Sequence, residues 1–138
     1  MKHVYLVAKT QEDTALIRKM LPLRLHRAVQ FVVAEDASSA VSAARTLLTL
    51  GRQPVGLVVD SGTQEDASIR SQKEVISALL GNAASHVPYR VFVASPSLRE
   101  VWSRRTAVNT IPLGREIRLF VKESTEACLQ GGVPTATV

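Results

Sequence analysis

The 138-residue sequence predicts an α/β domain with an open, mostly parallel sheet of four to five strands flanked by helices. Short runs rich in Val, Leu and Ile alternate with stretches in which apolar residues recur every three or four positions. One run, Val55–Asp60, is apolar on both faces, which is typical of a parallel strand covered by helices on each side. Because strands and helices alternate along the chain, right-handed crossovers and parallel pairing are expected.

The first half of the chain predicts two strands, each followed by a helix. The first strand is Val4–Ala8. Asp13 can cap the helix that follows, because its carboxylate can accept hydrogen bonds from the free backbone N–H groups of the first turn. Pro22 ends that helix, since proline cannot continue it. The second strand is Val29–Ala34. The cap and stop signals of the next helix are Asp36 and Ser38 at its start and Gly51 at its end.

The second half begins with the third strand, Val55–Asp60. A helix over about Ala67–Leu80 follows, with Asp66 as its cap candidate and Gly81 with Asn82 as its stop. The remaining elements are a fourth strand at Tyr89–Ser95, a short helix from near Ser97, and a fifth strand at Ile117–Val121. We expect residues 1–130 to form one domain and residues 131–138 a loose tail, because the tail has turn-forming residues and no periodicity.

The composition restricts the classes of function. Seventeen basic and twelve acidic residues give a net charge of +5, which favours contact with DNA or RNA phosphates by long-range attraction. No apolar stretch approaches the roughly 20 residues needed to cross a bilayer, and the start does not resemble a signal peptide. We therefore expect a cytoplasmic protein without a membrane partner. The single cysteine, Cys128, excludes an internal disulfide and a cysteine-based zinc site.

Acidic residues follow the first and third predicted strands. In open parallel sheets, ligands bind at the carboxyl ends of strands, and carboxylate oxygens suit Mg²⁺. Asp60, Glu12 and Asp13 are therefore candidate metal ligands, and Asp60 and Glu12 are the candidate catalytic residues. Helix capping is the alternative for Asp13 and Asp66, whereas Asp60 has no comparable capping role. GxGxxG, P-loop and GxSxG motifs are absent from the sequence, and the three histidines lack metal-ligand spacing.

The order of these elements resembles a Toprim domain, the fold shared by topoisomerases, primases and certain nucleases. The segments that carry the resemblance are "VYLVAKTQEDTALIRKMLP", "VQFVVAEDASSAVSAARTLL", "PVGLVVDSGT" and "VPYRVFVASPSLREVW", which together cover most of the chain to Trp102. They are especially similar to stand-alone Toprim-like proteins found beside ATP-driven nucleases. The resemblance implies Mg²⁺-dependent phosphoryl transfer on nucleic acid, with DNA, RNA or such a nuclease as partner.

This sequence departs from the family pattern at the metal site. Family members carry a Glu at the end of the first strand and a DxD after the third. The first Asp of the DxD is Asp60, whereas its second position is Gly62, which has no ligand. The Glu position is Lys9, with Glu12 displaced into the following loop. We therefore expect weak or absent catalysis and Mg²⁺ binding, and an ion pair in which Lys9 replaces the metal charge beside Asp60.

A receiver-like signalling domain is the main alternative. Receivers have a phosphorylatable Asp at the end of the third strand, a Ser or Thr after the fourth and a Lys after the fifth. Asp60, Ser95 and Lys122 occur in that order. Order alone is a weak motif in doubly wound folds, and the loop after Asp60 lacks the hydrophobic-Pro step usual in receivers.

The third interpretation is a protein-interaction module, in which the former active-site edge binds another protein.

The basic pair Arg104 and Arg105 beside Trp102 is the best candidate for nucleic-acid contact, through phosphate pairing and base stacking. The alternative for Trp102 is a place in the core, because it lies at helical spacing from Leu98.

Overall fold

The computed structural model describes residues 2–84, 86–105 and 111–129. The predicted tail, residues 131–138, lies outside these ranges, as does the side chain of Cys128. The elements in chain order are β1 (Val4–Ala8), α1 (Gln11–Met20), α2 (Leu23–His26), β2 (Val29–Val33), α3 (Ala37–Leu50), β3 (Val55–Asp60), α4 (Asp66–Ala83), β4 (Tyr89–Ala94), α5 (Leu98–Ser103) and α6 (Pro112–Leu129).

The described strands form one open, fully parallel sheet in the order β2-β1-β3-β4. This confirms the predicted α/β class, with four parallel strands flanked by helices. Ala8 pairs with Val33, and Asp60 pairs with Ala94, so all four strands end at the same edge of the sheet. The two central strands, β1 and β3, are neighbours. The residues that follow them are therefore brought together at that edge.

Helices cover both faces of the sheet. Alternate residues of a strand point to opposite faces, so Leu6 belongs to a core cluster with residues of α1, α5 and α6, whereas Val7 belongs to a cluster with residues of α3 and α4. Fully burying each such side chain contributes about 1.5–3 kcal/mol to folding. The first five residues of β3 are buried because this strand lies inside the sheet with helices on both sides, as its apolar sequence predicts.

The predicted fifth strand at Ile117–Val121 is wrong, because these residues belong to α6. Within α6 the buried positions recur at the helical spacing, whereas Leu119 in the middle of the short apolar run is 53% exposed. The buried positions of α6 are Leu113, Gly114, Ile117, Phe120, Val121 and Ser124. None of the helices within the described ranges has both the length and the apolar character needed to span a membrane.

Two helix starts differ from the predicted caps. The cap of α1 is Thr10, whose hydroxyl accepts the Asp13 backbone N–H at 3.1 Å, so Asp13 lies in the first turn instead of capping it. Asp66 is the first residue of α4, and the preceding Glu65 makes no side-chain cap. The Asp66 capping interpretation is therefore wrong. At α3 the prediction is confirmed, since Asp36 accepts the Ser39 N–H at 2.7 Å.

Two glycines predicted to end helices differ in role. Gly51 ends α3 in the left-handed region, with φ of 63°, where glycine lacks the steric penalty of other residues. Gly81, in contrast, lies inside α4, which continues to Ala83. A Cβ at position 81 would lie 2.7 Å from the Tyr89 hydroxyl oxygen, so this glycine makes room for a side chain of β4.

Candidate functional site

The site predicted at the carboxyl edge of the sheet is built around a lysine. Lys9 follows β1, Asp60 ends β3, and Asp13 lies in the first turn of α1. The Lys9 Nζ lies 2.8 Å from Asp60 Oδ2 and 2.8 Å from Asp13 Oδ2. The ion pair that the sequence predicts between Lys9 and Asp60 is therefore present, and Asp13 shares the same ammonium.

Local structure explains why these three side chains meet. Because β1 and β3 are adjacent parallel strands, Lys9 and Asp60 emerge beside each other. Thr10 starts α1 immediately after Lys9, which places the Asp13 carboxylate one turn away and within reach of the ammonium. The side chains of Lys9, Asp13 and Asp60 are 27%, 9% and 18% exposed, so the cluster is mostly withdrawn from solvent. Water therefore screens these charges less than at an open surface.

The second oxygen of Asp60 binds a different element. The backbone N–H of Leu98, the first residue of α5, donates to Asp60 Oδ1 at 2.8 Å. That N–H belongs to the first helical turn and has no partner within the helix. The Ser97 hydroxyl accepts the Glu100 N–H at 3.2 Å and so satisfies another such donor of α5. Asp60 therefore joins the ends of β1 and β3 to the start of α5.

The cluster favours the charged form of Lys9. Burial opposes a charge and by itself would lower the pKa of Lys9. The hydrogen bonds to Asp13 and Asp60 and the negative charges of both carboxylates outweigh burial, so the pKa of Lys9 is raised above its ordinary value. Lys9 therefore carries its positive charge at neutral pH, between the two carboxylates.

Glu12, the other proposed catalytic acid, takes part in a separate contact. Its carboxylate accepts hydrogen bonds from Arg99 Nε at 2.8 Å and Nη2 at 2.7 Å. The two side chains are 54% and 74% exposed, so this pair bridges α1 and α5 at the surface. In the described ranges, no three His, Cys, Asp or Glu side chains form a group able to hold a metal ion.

The loops after β3 and β4 are tied to each other beside this cluster. Gly62, the position that the resemblance aligned with the second Asp of a DxD motif, has φ of 73°, and its N–H donates to the Pro96 carbonyl at 2.8 Å. The Ser61 hydroxyl lies 3.3 Å from the Ser95 hydroxyl oxygen. Asp60 ends β3 and Ser95 directly follows the neighbouring strand β4, which is one residue shorter than predicted. Lys122, however, lies on α6 and not after a strand, which removes the third element of the receiver pattern.

The predicted nucleic-acid residues form a small basic surface near α5. The Arg105 guanidinium lies 3.9 Å from the centre of the Trp102 ring, and Lys19 Nζ lies 5.8 Å from it. Trp102 is half-buried and packs against the core, which agrees with the alternative placement, whereas base stacking on this ring stays a prediction. Arg104 pairs with Glu100 at 3.2 Å. The basic surface therefore carries partly compensated charge.

Sequence reasoning missed how the fold gathers basic residues from separate segments. Between α1 and α6, most of the basic side chains belong to the helices that cover one face of the sheet, or to the turns next to them. They are Arg18, Lys19, Arg24, Arg27, Arg99, Arg104, Arg105, Arg115, Arg118 and Lys122. These residues are scattered along the sequence, so the segments carry no basic run that could have signalled the shared face.

Comparisons with protein-family models, with curated proteins and with solved structures find no match to this chain. The contacts of the site are therefore the basis for its interpretation. Chemically, the Lys9 cluster holds two carboxylates around a cation that belongs to the chain. Such an arrangement can fix the geometry of a loop edge. A lysine ammonium cannot supply the Lewis acidity or the metal-bound hydroxide of a divalent ion.

Proposed function

We propose that this chain is a nucleic-acid-binding domain, similar to Toprim domains, in which Lys9 replaces the divalent cation and phosphoryl transfer is weak or absent. The observation that carries the proposal is the position of the Lys9 Nζ, 2.8 Å from the carboxylates of both Asp13 and Asp60. A Mg²⁺ ion would need these oxygens at about 2.0–2.1 Å, in the space that the ammonium occupies.

Charge supports the loss of metal-dependent catalysis. A divalent ion would bring two positive charges and open coordination positions for a phosphate oxygen or water. Lys9 brings one charge, and two of its hydrogen bonds are directed at carboxylates. Gly62 adds no third carboxylate, and Glu12 is paired with Arg99. The chain therefore has the means to hold this edge in place without binding an ion.

The distribution of basic residues supports nucleic acid as the partner. The face covered by α1, α2, α5 and α6 carries most of the basic side chains, so the net charge of +5 is distributed unevenly over the surface. Phosphate contacts from such a face supply affinity without reading sequence. Arg105 is the best placed of these residues, because the Trp102 ring holds its guanidinium at 3.9 Å while the side chain stays exposed.

The test is the binding of a fluorescently labelled single-stranded oligonucleotide, followed by anisotropy over a series of salt concentrations. Replacing Arg104 and Arg105 together by alanine should weaken binding and reduce the slope of log K against log salt by about 1.4, for two lost phosphate contacts. The matched control replaces Arg70 and Lys73, two exposed residues of α4 on the opposite face, and should leave the slope unchanged.

An equal salt slope in the wild type and the Arg104/Arg105 variant would show that this surface does not bind the oligonucleotide.

Incubation of the protein and the same oligonucleotide with Mg²⁺ or Mn²⁺ tests the proposed weakness or absence of phosphoryl transfer. We expect weak cleavage or none, and binding that survives removal of divalent ions by EDTA. Rapid metal-dependent cleavage abolished by Asp60→Asn would instead show that Asp60 retains a catalytic role.

A further inference from the structure

An open cleft of about 610 Å³ lies between α2 and the first half of α6, away from the Lys9 cluster. Its volume is in the range of about 300–1,000 Å³ that is usual for small-molecule sites. Pro22, Leu25 and Leu119 contribute apolar surface to its lining. Leu119 is 53% exposed, although it lies in the middle of a helix whose neighbouring apolar residues are buried. The cleft therefore offers an apolar surface to solvent.

Positive charge surrounds this apolar surface. Arg24 comes from α2, whereas Arg115, Arg118 and Lys122 come from α6, with Glu116 as the single acidic side chain of the lining. Arg115 and Lys122 flank Leu119 at helical spacing, so all three lie on one face of α6. Within the described part of the chain, no ion pair includes Arg24, Arg115 or Lys122. An anion in the cleft would relieve the repulsion among these cations.

Backbone contacts hold the walls of the cleft in place. The His26 Nε2–H donates to the carbonyls of Arg18 at 2.9 Å and Leu21 at 3.0 Å, which fixes α2 against the end of α1. Arg118 Nη1 donates to the Met20 carbonyl at 3.1 Å, which fixes α6 against the same corner. The cations of the two helices therefore face the cleft on a supported scaffold, which lowers the entropy lost on binding.

We propose that this cleft binds a small amphipathic organic anion, with an apolar body against Leu119 and a carboxylate, phosphate or sulfonate head among Arg24, Arg115 and Lys122. The proposal does not use Trp102, Arg104 or Arg105, on which the nucleic-acid test depends, although Arg24, Arg115 and Lys122 belong to the same basic face. A purely polar ion would leave the apolar surface of Leu119 in contact with water. A neutral apolar ligand would leave the repulsion among the cations unrelieved, so a ligand with both an apolar body and an anionic head is favoured.

The first experiment uses anilinonaphthalene sulfonate as the probe, since it joins an aromatic body to a sulfonate and fluoresces on binding. Replacing Arg115 and Lys122 together by alanine should raise the Kd of the probe by about tenfold, through loss of two charge-assisted contacts. Leu119→Ser should raise it through loss of the apolar contact. The Arg70/Lys73 double alanine variant removes the same charge from the opposite face and should bind the probe like the wild type. All these positions are exposed, so each variant should fold, and a thermal melt of each variant checks this.

Competition with the probe then distinguishes a ligand with a carboxylate head from one with a phosphate head. Displacement by decanoate indicates a carboxylate ligand, and displacement by AMP indicates a phosphate ligand, and either supports the proposal. Displacement by decanol as effective as that by decanoate would overturn the role of charge. Equal probe affinity in the Arg115/Lys122 and Arg70/Lys73 variants, or displacement by neither anion, would overturn the assignment of the cleft.

Discussion

Replacing Lys9 by methionine tests the central contact of the site, because it removes the shared ammonium but keeps an unbranched side chain. Each hydrogen bond to a charged group is worth about 1.5–3 kcal/mol, and Lys9 makes two of them. Removing one partner of a buried ion pair costs about 3–5 kcal/mol, and partial exposure of all three side chains reduces this value. We expect Lys9→Met to lower the free energy of unfolding by about 2–3 kcal/mol.

Urea denaturation at pH 7 measures this loss. A loss of this size shifts the midpoint of unfolding by about 0.7–3 M urea, because m-values of small proteins are about 1–3 kcal/mol/M. Lys73→Met is the matched control, since Lys73 is exposed on α4 and should change stability by less than about 0.5 kcal/mol. Asp60→Asn added to Lys9→Met should recover part of the loss, because it removes one unbalanced carboxylate and retains Oδ1 for the Leu98 N–H. Equal midpoints for Lys9→Met and Lys73→Met would refute the reasoning.

The raised pKa of Lys9 gives the same contact a pH dependence. A group with a higher pKa in the folded state contributes stability that is complete below its unfolded pKa, about 10.4 for lysine. That contribution is lost as pH rises through the folded pKa. The stability difference between the wild type and Lys9→Met should therefore be constant from neutral pH to about pH 10 and narrow above it. A difference that narrows between pH 6 and 9 would assign the effect to another group.

Two further predictions concern the carboxyl edge and the centre of the sheet. Lys9→Glu with Gly62→Asp should raise Mg²⁺ affinity in calorimetry above that of the wild type, and no gain would count heavily against the Toprim correspondence. The left-handed φ of Gly62 strains any side chain, aspartate less than most, so the variant also loses some stability, although no atom lies within 4 Å of the new Cβ. Gly56→Ala should lower stability by about 1–3 kcal/mol in denaturation, because its Cβ would lie 2.7 Å from Leu6 Cδ2. Gly114→Ala is its control: the contacts there begin at 3.4 Å and alanine favours the helix, so a loss equal to that of Gly56→Ala would contradict the packing argument.

The sequence predicts those parts of the fold that depend on local patterns. The bounds of β1 and β3 agree with the apolar runs, since buried central strands leave few polar interruptions. The segment Ile117–Val121 was assigned to a strand because a run of only five residues is too short for its periodicity to distinguish a strand from a helix. Extending the window to Leu113 and Ser124 would have revealed the helical spacing of the buried positions in α6. The single turn α2 is too short to produce any periodicity.

The candidate site was predictable in position and only partly in contacts. Parallel pairing placed Lys9 and Asp60 together, because both follow central strands at one edge. The role of Asp13 depended on which of two polar residues caps α1, and Thr10 takes that role through its hydroxyl. The contact between Asp60 and the Leu98 N–H joins residues 38 positions apart, so no local pattern could indicate it.

An acidic residue at the end of a central strand therefore does not by itself identify a metal site. The convergence of Asp13 and Asp60 creates a negative potential that any cation can satisfy, and residue 9 decides which cation does so. A bound metal would link stability to its own concentration, through the term RT ln(1 + [L]/Kd). Lys9 is part of the chain and is present at every metal concentration. The arrangement of Asp13 and Asp60 at the carboxyl edge of the sheet therefore needs no bound ion. Addition of Mg²⁺ or EDTA should consequently leave the melting temperature unchanged, and a rise with Mg²⁺ would mean that an ion competes successfully with Lys9.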